Sequence, residues 1–255
     1  MGDKRNNCLI LLIDPPTPDK TEPELRDSFG AERGVHINLD LLQNAYKLAK
    51  SFQDAILILS YDKTNRHPDL TWLDADDPGF LETKGRDMEG RITDAFQLAF
   101  NTGSKKVVLL SHLSPGLKAE WLHQAFDAVS DKAVALGLNR DGSYYLLGLT
   151  QNNIKLLEGL SFLSSRTAAD FSDKAKRNKL SVFALPETYA VKNEDTLREW
   201  VEAKDSAPAR FLNDPPRQAP APAPAPLPEP QLPAEEKKHG RHGRDRRPFG
   251  GDKPF

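Results

Sequence analysis

The chain has 255 residues but a single cysteine, Cys8, set in an apolar run. An intramolecular disulfide and a cysteine-rich zinc pattern are both excluded. No apolar run reaches the roughly 18–20 residues of a spanning helix, so no membrane partner is expected. The opening Met1–Asn7 segment leads straight into a strand-like run, without the apolar region and cleavage site of a secretory signal. Asn6 stands where N-myristoylation takes Ser or Thr. These absences give cytoplasmic as the expected location. A Walker loop and a Ser-His-Asp order are also missing. Apolar residues make up only 38% of the chain while prolines number 20, which implies that part of it is not packed.

Net charge is −2, favouring neither nucleic acid nor membrane as a bulk partner, but it is unevenly spread. From Gln231 onward seven Lys/Arg face four Asp/Glu, which leaves about −5 on the remainder. The acidic body reads as alternating strands and helices. Cys8–Ile13 is a continuous apolar run closed by Asp14-Pro15-Pro16, the pattern of a strand buried on both faces. Leu39, Leu42, Ala45, Tyr46 and Ala49 follow helical spacing, and the run Ala55–Leu59 comes next. Ile92, Ala95, Phe96 and Ala99 mark a further helix, closed near Thr102-Gly103, before the strand Lys106–Leu110. A helix through Ala119, Leu122, Ala125 and Val129 leads to Ala133–Leu136. After the turn-forming Asp141-Gly142 comes the strand Tyr144–Leu149. Such alternation predicts an α/β fold, a mostly parallel central sheet flanked by helices.

Three regions are expected: an α/β domain over 1–205, a Pro/Ala-rich linker over 206–230 and a basic tail over 231–255. The repeated Ala-Pro pairs before Pro230 fix φ and remove backbone donors, giving an extended spacer. The tail around His239–Arg244 is expected to be disordered alone. It could dock on a protein through Phe249 or Phe255, touch RNA phosphates weakly, or serve only solubility.

Together these segments resemble a bacterial glycosyltransferase A-fold family of the nucleotide-diphospho-sugar transferase superfamily (DUF2064-like), collinearly from Cys8 to Val201. Asp141-Gly142-Ser143-Tyr144-Tyr145 is similar to the family's Asp-Gly-Gly-Tyr-Tyr, and Arg86–Ile92 to its Gly-Asp-Leu-Gly-x-Arg-Met. The resemblance implies a Rossmann-like domain that binds a nucleotide sugar through basic residues and a carboxylate-held divalent metal. A diphosphate leaving group concentrates negative charge, so metal and Lys or Arg must neutralise it as it builds. Hard cations such as Mg²⁺ or Mn²⁺ take carboxylate oxygens.

This chain departs from that pattern on both sides. Where the family opens with Lys there is Asp14, and Asp19 replaces the loop glycine. The Lys-Thr-Arg-Leu box falls on Glu22-Pro23-Glu24-Leu25. Gly-Ser-Asp-Cys-Pro-Gly-Leu falls on Ser111–Leu117, placing Leu113 at the metal-linked aspartate, and the late Asp-Val-Asp falls on Ala190-Val191-Lys192. His112 beside Leu113 reads as a surface or helix-leading histidine rather than a replacement ligand.

The remaining ligand-binding candidates are Asp87, Arg91, Asp141, Gly142 and Tyr144, each with a structural alternative. Asp87 caps a helix equally well, Arg91 could pair with Asp87 at i,i+4, and Asp-Gly makes tight turns. The expected function is a transferase-like domain that has lost catalysis and acts as a binding or scaffold module, with a nucleotide sugar as the ligand that a vestigial cleft could retain. No cofactor is expected for it. The alternative is an active, metal-independent glycosyltransferase or nucleotidyltransferase with a rebuilt site, using Asp87, Asp141 and Arg91 with Lys20, Arg26 or Arg33. Mg²⁺ or Mn²⁺ enters only with an active site. If Asp14, Glu22, Glu24, Leu113, Ala190 and Lys192 ring one cleft, the altered positions mark one site.

Overall fold

The apolar run read as a buried strand is β1 (Asn7–Ile13), and its residues divide between two cores. In this computed structural model Leu9, Leu11 and Ile13 pack into one hydrophobic cluster, Cys8 and Ile10 into the other. This is the two-sided burial that a continuous apolar run demands. The structure describes residues 4–62, 68–76, 78–85, 87–162 and 164–206. These residues fall within a unit spanning Met1–Pro208. The expected linker and basic tail, from 207 onward, lie outside the described residues.

The other strands are β2 (Ile56–Asp62), β3 (Leu81–Thr83), β4 (Lys106–Leu110), β5 (Ala133–Leu138), β6 (Tyr144–Thr150) and β7 (Ser181–Ala184). They form one seven-stranded sheet in the order β3-β2-β1-β4-β6-β5-β7. β6 alone runs against its neighbours, pairing antiparallel with β4 and β5. The mostly parallel α/β sheet expected from the sequence is therefore borne out, with one reversal that the Asn139–Ser143 hairpin produces.

The helices are α1 (Pro23–Phe29), α2 (Ala31–Ser51), α3 (Met88–Asn101), α4 (Ala119–Ala128), α5 (Thr167–Arg177) and α6 (Glu194–Ser206). Leu42, Tyr46 and Ala49 of α2 share the first core with Leu122, Ala125 and Phe126 of α4. Ile92, Ala95 and Phe96 of α3 share the second with Ala168, Phe171 and Ala175 of α5. Helices thus cover both faces, as a parallel sheet requires. A third, smaller cluster joins Leu25, Ile37, Leu41, Val191 and Trp200, tying α1 and α2 to α6. Among the described residues, no helix is long and apolar enough to cross a membrane.

Two connections leave β1's neighbourhood in opposite directions. The chain passes from β1 to β2 by way of α1 and α2, then returns by α3 to β4 on β1's other side. The strand order therefore reverses between β1 and β4, and a crevice opens beyond their carboxyl ends. This topology puts Asp14 and Ser111, the residues that follow the two strands, at one place.

Packing on the β5–β6 hairpin is close. The Tyr145 ring is fully buried, its hydroxyl donates to the Pro186 carbonyl at 2.8 Å, and a Cβ at Gly137 would lie 2.4 Å from that ring. Gly137→Ala is expected to destabilise the fold by about 1–3 kcal/mol through overpacking. Urea unfolding of the variant would show a lower midpoint at an unchanged slope.

Candidate functional site

A cleft of about 150 Å³ opens at the reversal point between β1 and β4. Asp14, Glu22, Glu24, Leu113, Ala190 and Lys192 all line it. These positions come from three distant stretches of sequence, so their convergence is a property of the fold. Each is a position for which the sequence resemblance implied a different residue. The altered positions therefore mark one site.

The charges in the cleft are matched to one another. Lys192 lies on the segment before α6, and its Nζ is 2.8 Å from both Glu24 Oε2 on α1 and Asp141 Oδ2 in the β5–β6 turn. Its side chain is only 17% exposed. The neighbouring carboxylates raise the Lys192 pKa against the opposing effect of burial, so the ammonium stays charged. The sequence resemblance set Arg at the position of Glu24 and Asp at that of Lys192. The two reversed charges are partners of each other. A similar reversal occurs at β1, where Asp14 Oδ2 accepts from Arg91 Nη1 of α3 at 3.0 Å.

Asp141 is held by the turn as well as by Lys192. Its Oδ1 accepts from the Ser143 backbone N–H at 3.0 Å and from the Ser143 hydroxyl at 2.6 Å. Ser114 donates to Asn139, and Asn139 donates to the Ser143 hydroxyl, which locks the hairpin to the loop after β4. Gly142 has φ +83°, and a Cβ there would lie 2.7 Å from the Ser165 carbonyl oxygen, so only glycine suits the position. Hydrogen bonds to Ser143 and Lys192 hold the Asp141 pKa below the usual carboxylate range despite burial, which pushes the other way.

The other candidates divide between structural work and the cleft wall. Asp87 is the N-cap of α3, its carboxylate accepting from the Gly90 N–H at 2.8 Å. It lies beside a shallow recess with Glu89 and Gly159, not in the cleft. Arg91 reaches across to Asp14, 77 residues away in sequence, and not to Asp87 as the local i,i+4 alternative would have it. Tyr144 lines the cleft and packs edge-on against Phe162, with ring centroids 5.9 Å apart. Of the cations that an active site would need, Lys20 lines the cleft on an exposed loop. Arg33 is paired with Glu194, Arg26 approaches the Pro18 carbonyl, and neither lines the cleft.

His112 needs correction. It is not a surface histidine: it lines the cleft, and its Nε2 is 2.8 Å from Asn38 Oδ1 of α2. Burial lowers its pKa to about 4, so the ring is neutral. The alternation of side chains along a strand does not apply to it, because β4 ends at Leu110 and the chain then turns. Ser111, His112 and Leu113 consequently all face the cleft. Asn38, Leu42, Met88 and Ser164 also line the wall, and none carries a sequence signal beyond its helix or loop context.

The divalent metal that the fold resemblance implies does not fit these residues. Leu113 and Ala190 offer no lone pair, and Lys192 sets an ammonium between the nearest carboxylates. Among the described residues, no group of three His, Cys, Asp or Glu side chains is placed to hold a metal ion.

Glu22 differs from the other carboxylates of the site. It is the N-terminal flanking residue of α1 but makes no side-chain cap, and it lines the cleft instead. Burial, then the charges of Asp14 and Glu24, raise its pKa to about 7; Lys192 and Arg91 only partly oppose this. In the unfolded chain the group titrates near 4.5. Between these values the folded state retains a proton that the unfolded state has lost, so stability falls as pH rises from about 4.5 to 7. Above this window the penalty amounts to at most about 3 kcal/mol. Glu22→Gln is expected to raise the melting temperature at pH 8 and leave it nearly unchanged at pH 4, a comparison that differential scanning calorimetry can make.

Residues 46–164 match the model of a family described as uncharacterized protein conserved in bacteria (DUF2064). No curated protein matches the chain. Among solved structures, a provisionally named nucleotide-diphospho-sugar transferase from Desulfovibrio desulfuricans G20 is similar with a TM-score of 0.69 at 22% identity, covering 82% of this chain and 91% of that one. A nucleotidyl transferase from Methanothermobacter thermautotroptrophicus reaches 0.48 at 8% identity, over 78% of this chain and 96% of that one. The 4-diphosphocytidyl-2C-methyl-D-erythritol synthase of Anaerococcus prevotii DSM 20548 reaches 0.48 at 10%, with the same coverage of 78% and 96%. The first of these likenesses carries the fold alone, and residues 46–164 are similar to the DUF2064 family.

Proposed function

We propose that the chain is a glycosyltransferase A-like domain that has given up metal-assisted diphosphate chemistry and works as a binding module. The observation that supports this most directly is the Glu24–Lys192–Asp141 bridge. A phosphate-handling cleft needs cations free to meet incoming charge and carboxylates free to hold a metal. Here the buried cation and its two flanking carboxylates are engaged with one another. A diphosphate entering the cleft would also approach Asp14, Glu22 and Glu24, which line it and repel anions.

The rebuilt, metal-independent transferase draws less support. Asp87 is occupied as a cap, Arg91 is bound to Asp14, and Asp141 is bound to Lys192 and Ser143. Freeing any of them for substrate would break an interaction that holds the fold. Incubation of the full chain with UDP-, GDP-, CDP- and dTDP-sugars plus Mn²⁺ or Mg²⁺ should yield neither transfer nor hydrolysis. Turnover that disappears in Asp141→Ala would overturn the reading.

A further inference from the structure

We propose that β7 is the twofold interface of a homodimer, two copies of the chain pairing antiparallel across Phe183 so that the sheet runs on from one protomer into its partner. The strand order leaves β3 and β7 at the two edges of the sheet. β3 is three residues long and shows Glu82 to solvent, a charge that discourages pairing. β7 has no such guard. Its residues are Ser181-Val182-Phe183-Ala184, without charge or proline, and Phe183 is 41% exposed. None of these residues lines the cleft.

The backbone of β7 sets the register. The Ser181 N–H donates to the Lys132 carbonyl and the Leu185 N–H to the Leu136 carbonyl, each at 2.9 Å. Successive residues of a strand turn their backbone groups to opposite sides, so those of Val182 and Ala184 point to the open edge. A twofold axis at Phe183 sets Val182 opposite the partner's Ala184, and Ala184 opposite the partner's Val182, each as a hydrogen-bonded pair. Every outward-facing group of the strand is then used. The two Phe183 residues form the closer, non-hydrogen-bonded pair between them, where opposite side chains meet. Val182 packs toward the core under α5 and Leu185 lies in the other core, so Phe183 projects from the sheet face opposite α5.

The same axis brings unlike charges together. Lys179 and Glu187 are both exposed and lie four residues before and after Phe183, so Lys179 of each protomer meets the Glu187 end of the other strand. Four residues of strand alone bury too little surface for a stable dimer. α5 packs on both β5 and β7 and supplies the rest. With strands about 4.8 Å apart, the two copies of α5 come to lie about 10 Å apart and antiparallel, the spacing of packed helices. α5 carries Asp170 and Asp173 ahead of Lys174, Lys176 and Arg177, so antiparallel copies set an acidic half beside a basic one.

The test is sedimentation equilibrium of the full chain over a micromolar concentration series. The wild-type chain should associate to twice its 28.4 kDa mass. Phe183→Asp should weaken the dimer at least tenfold. Ala184→Pro, which removes an outward N–H but none of the bonds to β5, should do the same. Lys179→Glu and Glu187→Lys should each weaken it roughly tenfold, and the double exchange should restore it. Melting curves verify that the variants are folded. A wild-type chain that stays monomeric, or a dimer that Phe183→Asp leaves intact, would overturn the inference. A double exchange that fails to rescue overturns it as well, since only the antiparallel register places Lys179 against the partner's Glu187.

Discussion

The ion bridge through Lys192 is the interaction on which the rest of the site depends. Its ammonium joins α1, through Glu24, to the β5–β6 turn, through Asp141, while its own backbone N–H bonds Thr196 at the start of α6. One side chain thus fastens elements that are far apart in sequence and that share little apolar surface, since the cluster joining α1, α2 and α6 is the smallest of the cores. Such a bridge gains little beyond a hydrophobic replacement when complete, but removing one partner leaves charge stranded at low dielectric. The half-exposed carboxylates soften that penalty. Its larger consequence is chemical. It places an internal cation between carboxylates at the cleft.

Topology then explains why these changes could occur together without loss of the fold. The cleft lies beyond the carboxyl ends of β1 and β4, floored by Leu42 and Leu110 of one sheet-covering core and Phe162 of the other. Leu113, Ala190 and Lys192 sit on connections, whose side chains answer to the cleft rather than to sheet packing. The strands that carry the cleft are held by two-sided burial, which is indifferent to the residues beyond Ile13 or Leu110. Charges on the elements that rim the cleft pair across it, as Glu24 and Lys192 do.

Much of the scaffold was legible in the sequence because its signal is local. β1 and β4 are continuous apolar runs, and β4 begins and ends at the residues the run itself marks, Lys106 and Leu110. α2 was only half visible: helical spacing is clear from Leu39, yet the helix begins at Ala31. Its first turns hold Glu32, Arg33, Gly34 and His36, and Gly34 is there because α1 packs tightly against it. Only the tertiary contact shows that. The candidate site was legible as a set of departures from a family pattern, and the match over residues 46–164 leaves Asp14, Glu22, Glu24, Ala190 and Lys192 outside it. What they became could not be read, because the Arg91–Asp14 and Lys192–Glu24 pairs span most of the domain. The place of His112 was hidden for a different reason: a turn after a strand cancels the alternation from which its direction would be inferred.

Among the described residues, Glu22 is the cleft carboxylate whose side chain joins none of the ion pairs there. Burial and two like charges drive its carboxyl toward neutrality. Glutamine would fill nearly the same volume without that cost, and the remaining charges of the cleft are already matched. Positive charge brought near the carboxyl would lower that cost. Relief requires positive charge at the cleft. Lys192 and Arg91 reduce the effect but remain committed to Glu24, Asp141 and Asp14. The Asp141-Gly142-Ser143-Tyr144-Tyr145 motif differs, its aspartate being fully engaged in holding its own turn and the lysine across from it.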